Sequence, residues 1–454
     1  MSKDEPINSS HPVKTRHLSI WFLIALNFAQ LAIQIGFAVE FAFLMRFLED
    51  ELLLPPLASS LSFLAGPLSG FIVNPIMGAL SDKCRSKMGR RRPFVIGGSL
   101  LTSFSLLLVG CTYPFIKYFG NSTVALITIL TGLWLLNIGL NTLQTPSRAL
   151  VTDVVSRLTN DSVHEQTRAQ SVCGLAMSTA QVFTNYMIFY SAADADSIFR
   201  IPITDFQWTM IYVFGGSAVA VIAVCIPSLI VGKEEQLKDV HDEEQSGFSS
   251  MLKQLGTAVV KSTPSVRLLG LVFFLSWAGF FPFQLFITKA LDLKSGSLAL
   301  TFMSVGSFCM SILCPKLTLW LGHKLLYCVA QLLGAAGLII PFFIDEKYVL
   351  WGCYFAVGLS FCAINVLPFD ILPIIMKENT GTYYSFLNAA CVFAQMFVLL
   401  LSSLLQQLFG VSKFFVITTF SGWLILAAVL IMFLKMGRGV NVDVGSSTYL
   451  LLPE

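Results

Sequence analysis

Charge is what this sequence has least of. Asp, Glu, Lys and Arg supply only 12% of its 454 residues, about half their share in an ordinary soluble domain. Length alone would suggest about three soluble domains. With 55% of residues hydrophobic and the few charges gathered into short stretches, that reading is excluded. Histidine is scarcer still, with five residues, and no His/Cys spacing suits a metal. The G-x-x-x-x-G-K-[ST] phosphate loop is missing. No cofactor, metal centre or enzyme constellation is therefore expected, and any work done must draw on a gradient rather than on ATP. A net charge of +3, spread through loops, gives no nucleic-acid surface. The ten cysteines lie mostly inside apolar runs without close pairing and read as small packing residues. No cleavable signal peptide is expected, since the first 18 residues are polar and the first apolar run is too long for one.

What is present is a series of long apolar runs. About 20 such residues cross a bilayer as a helix, and only helices or closed barrels satisfy their backbone there. The alternating pattern of a barrel is missing. Twelve spans can be marked, at 19–47, 57–80, 93–114, 122–146, 168–190, 208–231, 267–290, 297–320, 325–344, 349–375, 384–408 and 412–435. The expected class is an all-α membrane protein. Basic residues collect on the cytoplasmic side. With the N-terminus placed there, 22 of the 29 Lys and Arg fall in inner segments and seven in outer ones, so both termini are expected in the cytoplasm. The outer loops carry acid, as in Glu49-Asp50-Glu51, and a glycosylation sequon at Asn121.

The longest loop follows the sixth span. It divides the chain into a tail 1–18, a six-helix half 19–231, a linker 232–266, a second half 267–435 and a tail 436–454. Ser171–Phe183 and Ser385–Phe397, in spans five and eleven, share five identities in thirteen positions. Lys83, Gly89 and Arg91 are echoed by Lys316, Gly322 and Lys324 at an offset of 233. Both matches fall in register with a duplicated six-helix unit, the layout of many secondary transporters.

A polar side chain inside a bilayer must pair or face water, and a charged one at a helix centre costs roughly 2.5–3.5 kcal/mol. In span four Asn137, Asn141, Gln144 and Arg148 are spaced 4, 3 and 4, on one helical face. Two readings are open: the lining of a cavity for a hydrogen-bonding solute, or interhelical hydrogen bonding. Asp153 lies about 140° round the helix from Arg148, at its cytoplasmic end. It reads either as part of a gate with the basic loop or as a solvated helix end. Span one places Asn27, Gln30 and Gln34 on one face and Glu40 on another. Low-dielectric surroundings let a carboxyl exchange a proton near neutral pH; the other reading of Glu40 is a structural partner for a Lys or Arg. Gln181, Asn185, Asn388 and Gln395 read first as packing contacts. Asn365 and Asp370 lie among Pro368 and Pro373, which suggest a kink in span ten. Trp277, Phe280, Phe281 and Phe283 suit stacking on a sugar ring, with lipid-facing bulk as the default.

Gly78–Pro93, GALSDKCRSKMGRRRP, carries six Lys or Arg between two apolar runs. Gly78, Asp82 and Lys83 fit the start of the major facilitator signature G-x-x-x-D-[RK]-x-G-[RK]-[RK]. Gly89 then comes four residues late, followed by Arg90, Arg91, Arg92 and Pro93. This expanded form resembles the sucrose/proton symporter family of plants and the related animal solute carrier family 45. Leu68–Asp82, Asn141–Asp153, Leu275–Phe286 and Asn388–Met396 look like the family's second, fourth, seventh and eleventh spans. The resemblance implies a major facilitator fold, with twelve transmembrane helices in two six-helix halves. It also implies proton-coupled symport of sucrose or another disaccharide or hexose, in the plasma membrane or an intracellular vesicle membrane. Carried over residue by residue, it implies an inner-gate role for Asp82, Gly89, Arg90, Arg91 and Arg92, and a substrate or proton role for Arg148 and Asp153. Glu40, Asn141 and Gln144 join the substrate and proton candidates from the span pattern. Glu40 sits where animal members have an acidic residue. After span seven the family commonly reads F-x-T-D-[WF]-M-G, whereas this chain has Phe286-Ile287-Thr288-Lys289-Ala290-Leu291. A sugar, a proton and the bilayer are the expected partners. The alternatives are a proton-coupled carrier of another small polar solute and a non-transporting sensor or scaffold on the same fold.

Overall fold

The computed structural model describes residues 17–112, 122–159, 162–192, 206–234, 236, 262–375 and 380–436. The Asn121 sequon, most of the linker 232–266 and the tail segments 1–16 and 437–454 lie outside the described residues.

Among the described residues, ten helices are long and apolar enough to cross a membrane. One of these, Leu293–Ile339, is 47 residues long, about 70 Å at 1.5 Å per residue and more than twice a bilayer core. It turns at Gly322, whose φ of 75° is outside the helical region, so it makes two crossings. Ser162–Ala192 is too polar to be counted by hydropathy, yet it is an unbroken helix of 31 residues packed among the others. The described residues thus make twelve crossings. Span 1 is Ile20–Leu26 continued by Phe28–Arg46, and span 2 is Pro56–Ser62 continued by Ala65–Asp82. Spans 3 to 7 are Arg92–Gly110, Ser122–Leu158, Ser162–Ala192, Phe206–Val231 and Pro264–Ala290. Spans 8 and 9 divide Leu293–Ile339; spans 10 and 11 are Lys347–Ile375 and Thr380–Phe409. Span 12 is Lys413–Phe420 continued by Gly422–Met432.

Span 4 departs from the sequence expectation by running on past Pro146 to Leu158. Its 37 residues reach about 56 Å, well beyond the hydrocarbon layer. The extension has its own apolar stripe. Leu150, Val151, Val154 and Val155 pack on Leu23 and Leu26 of span 1 and on Ala169 and Val172 of span 5, in a cluster separate from the main core. Prediction from hydropathy stops where lipid stops, but burial against neighbouring helices does not.

Helices in lipid associate through close packing and interhelical hydrogen bonds rather than through water exclusion. Spans 8 and 10 cross where Gly306 and Gly358 face one another's backbones. A Cβ at Gly358 would overlap the Met303 carbonyl oxygen, and one at Gly306 the Phe355 carbonyl oxygen. Spans 5 and 8 join the two halves through buried polar pairs, with Asn185 Nδ2 donating to Ser304 Oγ at 3.3 Å and the Ser178 and Ser307 hydroxyls 3.4 Å apart. Overpacking a helix crossing costs about 1–3 kcal/mol or more. Gly358→Val is therefore expected to abolish the monodisperse peak in detergent size exclusion, while Gly352→Ala, which has open space at its Cβ, leaves it unchanged.

Candidate functional site

The polar stripe of span 4 divides into two pairs. Asn137 and Asn141 are buried and committed to neighbouring helices. Asn137 Nδ2 donates to Glu40 Oε1 at 2.9 Å. Asn141 Nδ2 donates to Ser69 Oγ at 3.0 Å, and its Oδ1 accepts from Asn74 Nδ2 at 2.9 Å. Asn74 Oδ1 in turn accepts from Thr145 Oγ1 at 2.9 Å. The result is a ladder across spans 1, 2 and 4 with Glu40 at one end. One turn further along, the pattern changes. Gln144 is half-buried and Arg148 is exposed, the guanidinium reaching only the Met177 sulfur of span 5, at 4.0 Å. Asn137 and Asn141 are thus engaged in hydrogen bonds between helices, while Gln144 and Arg148 lie on the more open part of the same face.

Glu40 is 2% exposed. Its Oε2 is buried without a hydrogen-bond partner, and among the described residues no Lys or Arg pairs with it. A buried carboxylate with one amide donor and no cation leaves its charge uncompensated; adding a proton removes that charge. The polar face of span 1 is used structurally. Gln30 Nε2 donates to Ser147 Oγ at 2.9 Å, Gln34 Oε1 accepts from Gln181 Nε2 at 2.9 Å, and Asn27 Nδ2 donates to the Ala169 carbonyl at 3.2 Å.

At the basic end, the Arg91 guanidinium is nearly buried and bridges spans 2 and 4. It pairs with Asp82, donates from Nη1 to Ser81 Oγ at 2.6 Å and from Nε to Asp153 Oδ2 at 3.0 Å. Arg90 completes the clamp, with Nη2 2.9 Å from Asp153 Oδ1. The structure thus places Asp153 with the basic loop and apart from Arg148. Arg92 Nη1 reaches the Met88 carbonyl at 3.3 Å. Glu234, at the start of the linker, was not singled out in the sequence. Its Oε2 accepts from the backbone N–H groups of Arg91 at 2.8 Å and Arg92 at 3.1 Å, the first turn of span 3, where a carboxylate meets the positive end of the helix dipole. Gly89 makes this possible. Its φ is 104°, and a Cβ there would lie 2.5 Å from Glu234 Cβ, so neither backbone nor space admits a side chain. The late position of Gly89 accommodates a partner arriving from about 145 residues downstream.

Burial raises the Glu234 carboxyl above its ordinary range, a push that the Arg91 and Arg92 amides only partly oppose. The folded protein then holds this proton more tightly than the unfolded chain, so the group's contribution to stability grows as pH falls from neutral through the ordinary carboxylate range. Thermal unfolding of the wild type and Glu234→Gln from neutral pH down to about 4.5 checks this: the gap shifts in favour of the wild type as pH falls, and a shift the other way contradicts it. Glu234→Ala, which removes the cap outright, is expected to cost about 1 kcal/mol at neutral pH.

The second half presents a different chemistry. Trp277, Phe280, Phe281 and Phe283 are all buried, which corrects the default expectation that they face lipid. Trp277 sits edge-to-face with Phe273, Phe280 and Phe361, at centroid separations of 6.4, 6.0 and 6.2 Å, and its Nε1 is buried without a hydrogen-bond partner. On span 10, which runs unbroken through Pro368, Asn365 and Asp370 are exposed, with Asn365 Nδ2 bonded to the Phe361 carbonyl at 2.9 Å.

Residues 23–409 match the MFS/sugar transport protein family. The sucrose transport protein SUC4 of Arabidopsis thaliana is 26% identical over 433 residues, covering 83% of this chain and 82% of the relative. The general alpha-glucoside permease of Schizosaccharomyces pombe is 28% identical over 277 residues, 59% of this chain and 47% of that protein. Among solved structures, the nucleoside transporter NupG superposes with a TM-score of 0.63 at 9% identity, covering 91% of this chain and 98% of that one. A variant of the E. coli fucose:proton symporter FucP gives 0.56 at 17% identity, with 92% and 98% covered. The twelve crossings, the basic clamp between spans 2, 3 and 4 and the family match over most of the length agree: the chain belongs to the MFS/sugar transport protein family, on a major facilitator fold.

Proposed function

We propose that this protein is a secondary active transporter that carries a sugar, sucrose or another disaccharide or hexose, across its membrane together with a proton. The observation that carries the reading is Glu40, a buried carboxyl with no counter-cation, tied through Asn137 and Asn141 to the face that ends in Gln144 and Arg148. A proton on Glu40 changes the hydrogen bonds that Asn137 can make, and Asn137 sits in the ladder that orders span 4. Loading with a proton and binding of solute thereby act on one helix, which is what symport requires. The open Gln144 and Arg148 supply donors for sugar hydroxyls. Trp277 supplies an aromatic face and an unpartnered indole N–H from the opposite half, so hydroxyl-rich and C–H-rich faces of a pyranose would meet different walls. The Asp82, Arg90, Arg91 and Asp153 clamp, held by Gly89 and Glu234 and flanked by Arg92, is the gate at the basic end. The excess of Lys and Arg supports a cytoplasmic position for that end and both termini, with the halves 19–231 and 267–435 joined by the linker 232–266. The membrane is the plasma membrane or that of an intracellular vesicle.

Uptake of labelled sucrose, maltose and glucose into proteoliposomes under an imposed pH gradient tests the reading. Gradient-driven accumulation of at least one sugar is expected, and uptake that is missing or indifferent to the gradient overturns it. Glu40→Gln, which keeps the hydrogen bond but cannot titrate, is expected to remove accumulation while sparing exchange of labelled for unlabelled sugar. Trp277→Phe keeps the ring and loses the donor. One hydrogen bond is worth about 1 kcal/mol, so the KM for sugar is expected to rise about fivefold to tenfold with little change in maximal rate.

A further inference from the structure

Opposite the basic clamp, the two halves are tied by charge. Span 1 ends in one π-helical turn, Phe47–Glu51, a departure from α geometry that tends to mark working sites. On this turn the neighbouring acids Glu49 and Asp50 reach two different helices of the other half. Asp50 pairs with Lys289 near the end of span 7, and Glu49 Oε2 lies 2.5 Å from Lys413 Nζ at the start of span 12. Arg46 braces the turn from within, with Nε 3.4 Å from Asp50 Oδ2, and crosses to span 7 through Nη1 to the Thr288 carbonyl at 3.2 Å. Lys413 also lies 5.9 Å from the centre of the Phe286 ring. The side chains of Glu49 and Lys413 are 8% and 13% exposed, so this pair escapes most of the solvent screening that makes surface ion pairs weak, while Lys289 at 19% and Asp50 at 39% form the more open pair. Just inside them Phe41 and Phe281 meet edge-to-face across the halves at 6.0 Å.

We propose that Glu49, Asp50, Lys289 and Lys413, braced by Arg46, form an ionic clasp that holds the transporter shut on the side away from the basic loop, and that its release opens the space between the two halves to that side. The inference rests on the transporter reading but on neither sugar nor proton. Every pair in the clasp crosses from spans 1–6 to spans 7–12, the two bodies that rock against each other in alternating access. Removing one member of a shielded pair strands the other charge, so the closed arrangement is sensitive to single substitutions. Lys289 is the position at which the chain departs from the acidic residue common after the seventh span. Beside Asp50 a carboxylate would repel, and the lysine is what the acids of span 1 require.

The test uses the full-length protein in proteoliposomes. Gln284→Cys, half-buried on span 7 and inside the clasp, reports access to a membrane-impermeant maleimide added from the side away from the basic loop, measured over the same variants without the reporter. Lys289→Glu is expected to raise the labelling rate about tenfold, and Asp50→Lys combined with Lys289→Glu to return it to the wild-type rate. If Lys289→Glu does not fold, Lys289→Met removes the pair without reversing it and is expected to give an intermediate rise. Unchanged labelling in a folded Lys289 variant, or a double variant no slower than the single one, overturns the clasp. Labelling needs neither sugar nor a gradient, so a responsive clasp with no sugar uptake would overturn the sugar reading and leave this one standing.

Discussion

A polar group inside a bilayer has no water to turn to. That constraint organises this protein more than any single motif. Each carboxamide placed at membrane depth must find a donor or acceptor on another helix, and the helices are held in register by the bonds that result. Asn137, Asn141 and Asn74 fix spans 1, 2 and 4 in this way, and Gln34 with Gln181 fixes span 1 against span 5. Some buried polar atoms are left without such a partner. Glu40 Oε2 and Trp277 Nε1 are buried and unsatisfied, while Gln144 and Arg148 face open space.

Charge is used at the two ends and avoided between them. At the basic end Asp153 is gripped by two arginines and Glu234 caps the start of span 3, all within spans 1–6 and the first residues of the linker. At the opposite end the ion pairs run between halves. The molecule therefore carries an ionic network that stiffens one half and another that joins the two. A rigid half and a reversible tie are the two mechanical parts that an alternating-access carrier needs.

Much of this was legible in the sequence, for physical reasons that also mark where legibility stopped. Apolar length located the crossings to within a few residues, because the lipid imposes the length. It failed for the end of span 4, where burial against spans 1 and 5 replaces lipid, and hydropathy barely registers span 5, whose polar face meets protein. Helical spacing put Asn137, Asn141, Gln144 and Arg148 on one face. It did not say which of them would be used up by neighbours, since that depends on Glu40, Ser69 and Asn74 arriving from elsewhere. The loop motif drew attention to Gly89 and the arginines, but Glu234 looked like one acid among several in a charged linker. Lys289 stood out only as a mismatch, and its meaning needed Asp50 from the far end of span 1.

The Glu234 cap attaches the segment between the halves to the first of them at its root. The chain leaves span 6, and within five residues Glu234 holds the first turn of span 3 while Gln236 Nε2 bonds the Arg85 carbonyl at 3.0 Å. The next described residue is Ser262, two positions before span 7 begins. The start of the linker is thus bolted to one body. Any shift of Glu234 or Gln236 is passed directly to the helix end that carries Arg91 and Arg92, which makes the root of the linker part of the clamp as well as the start of a link.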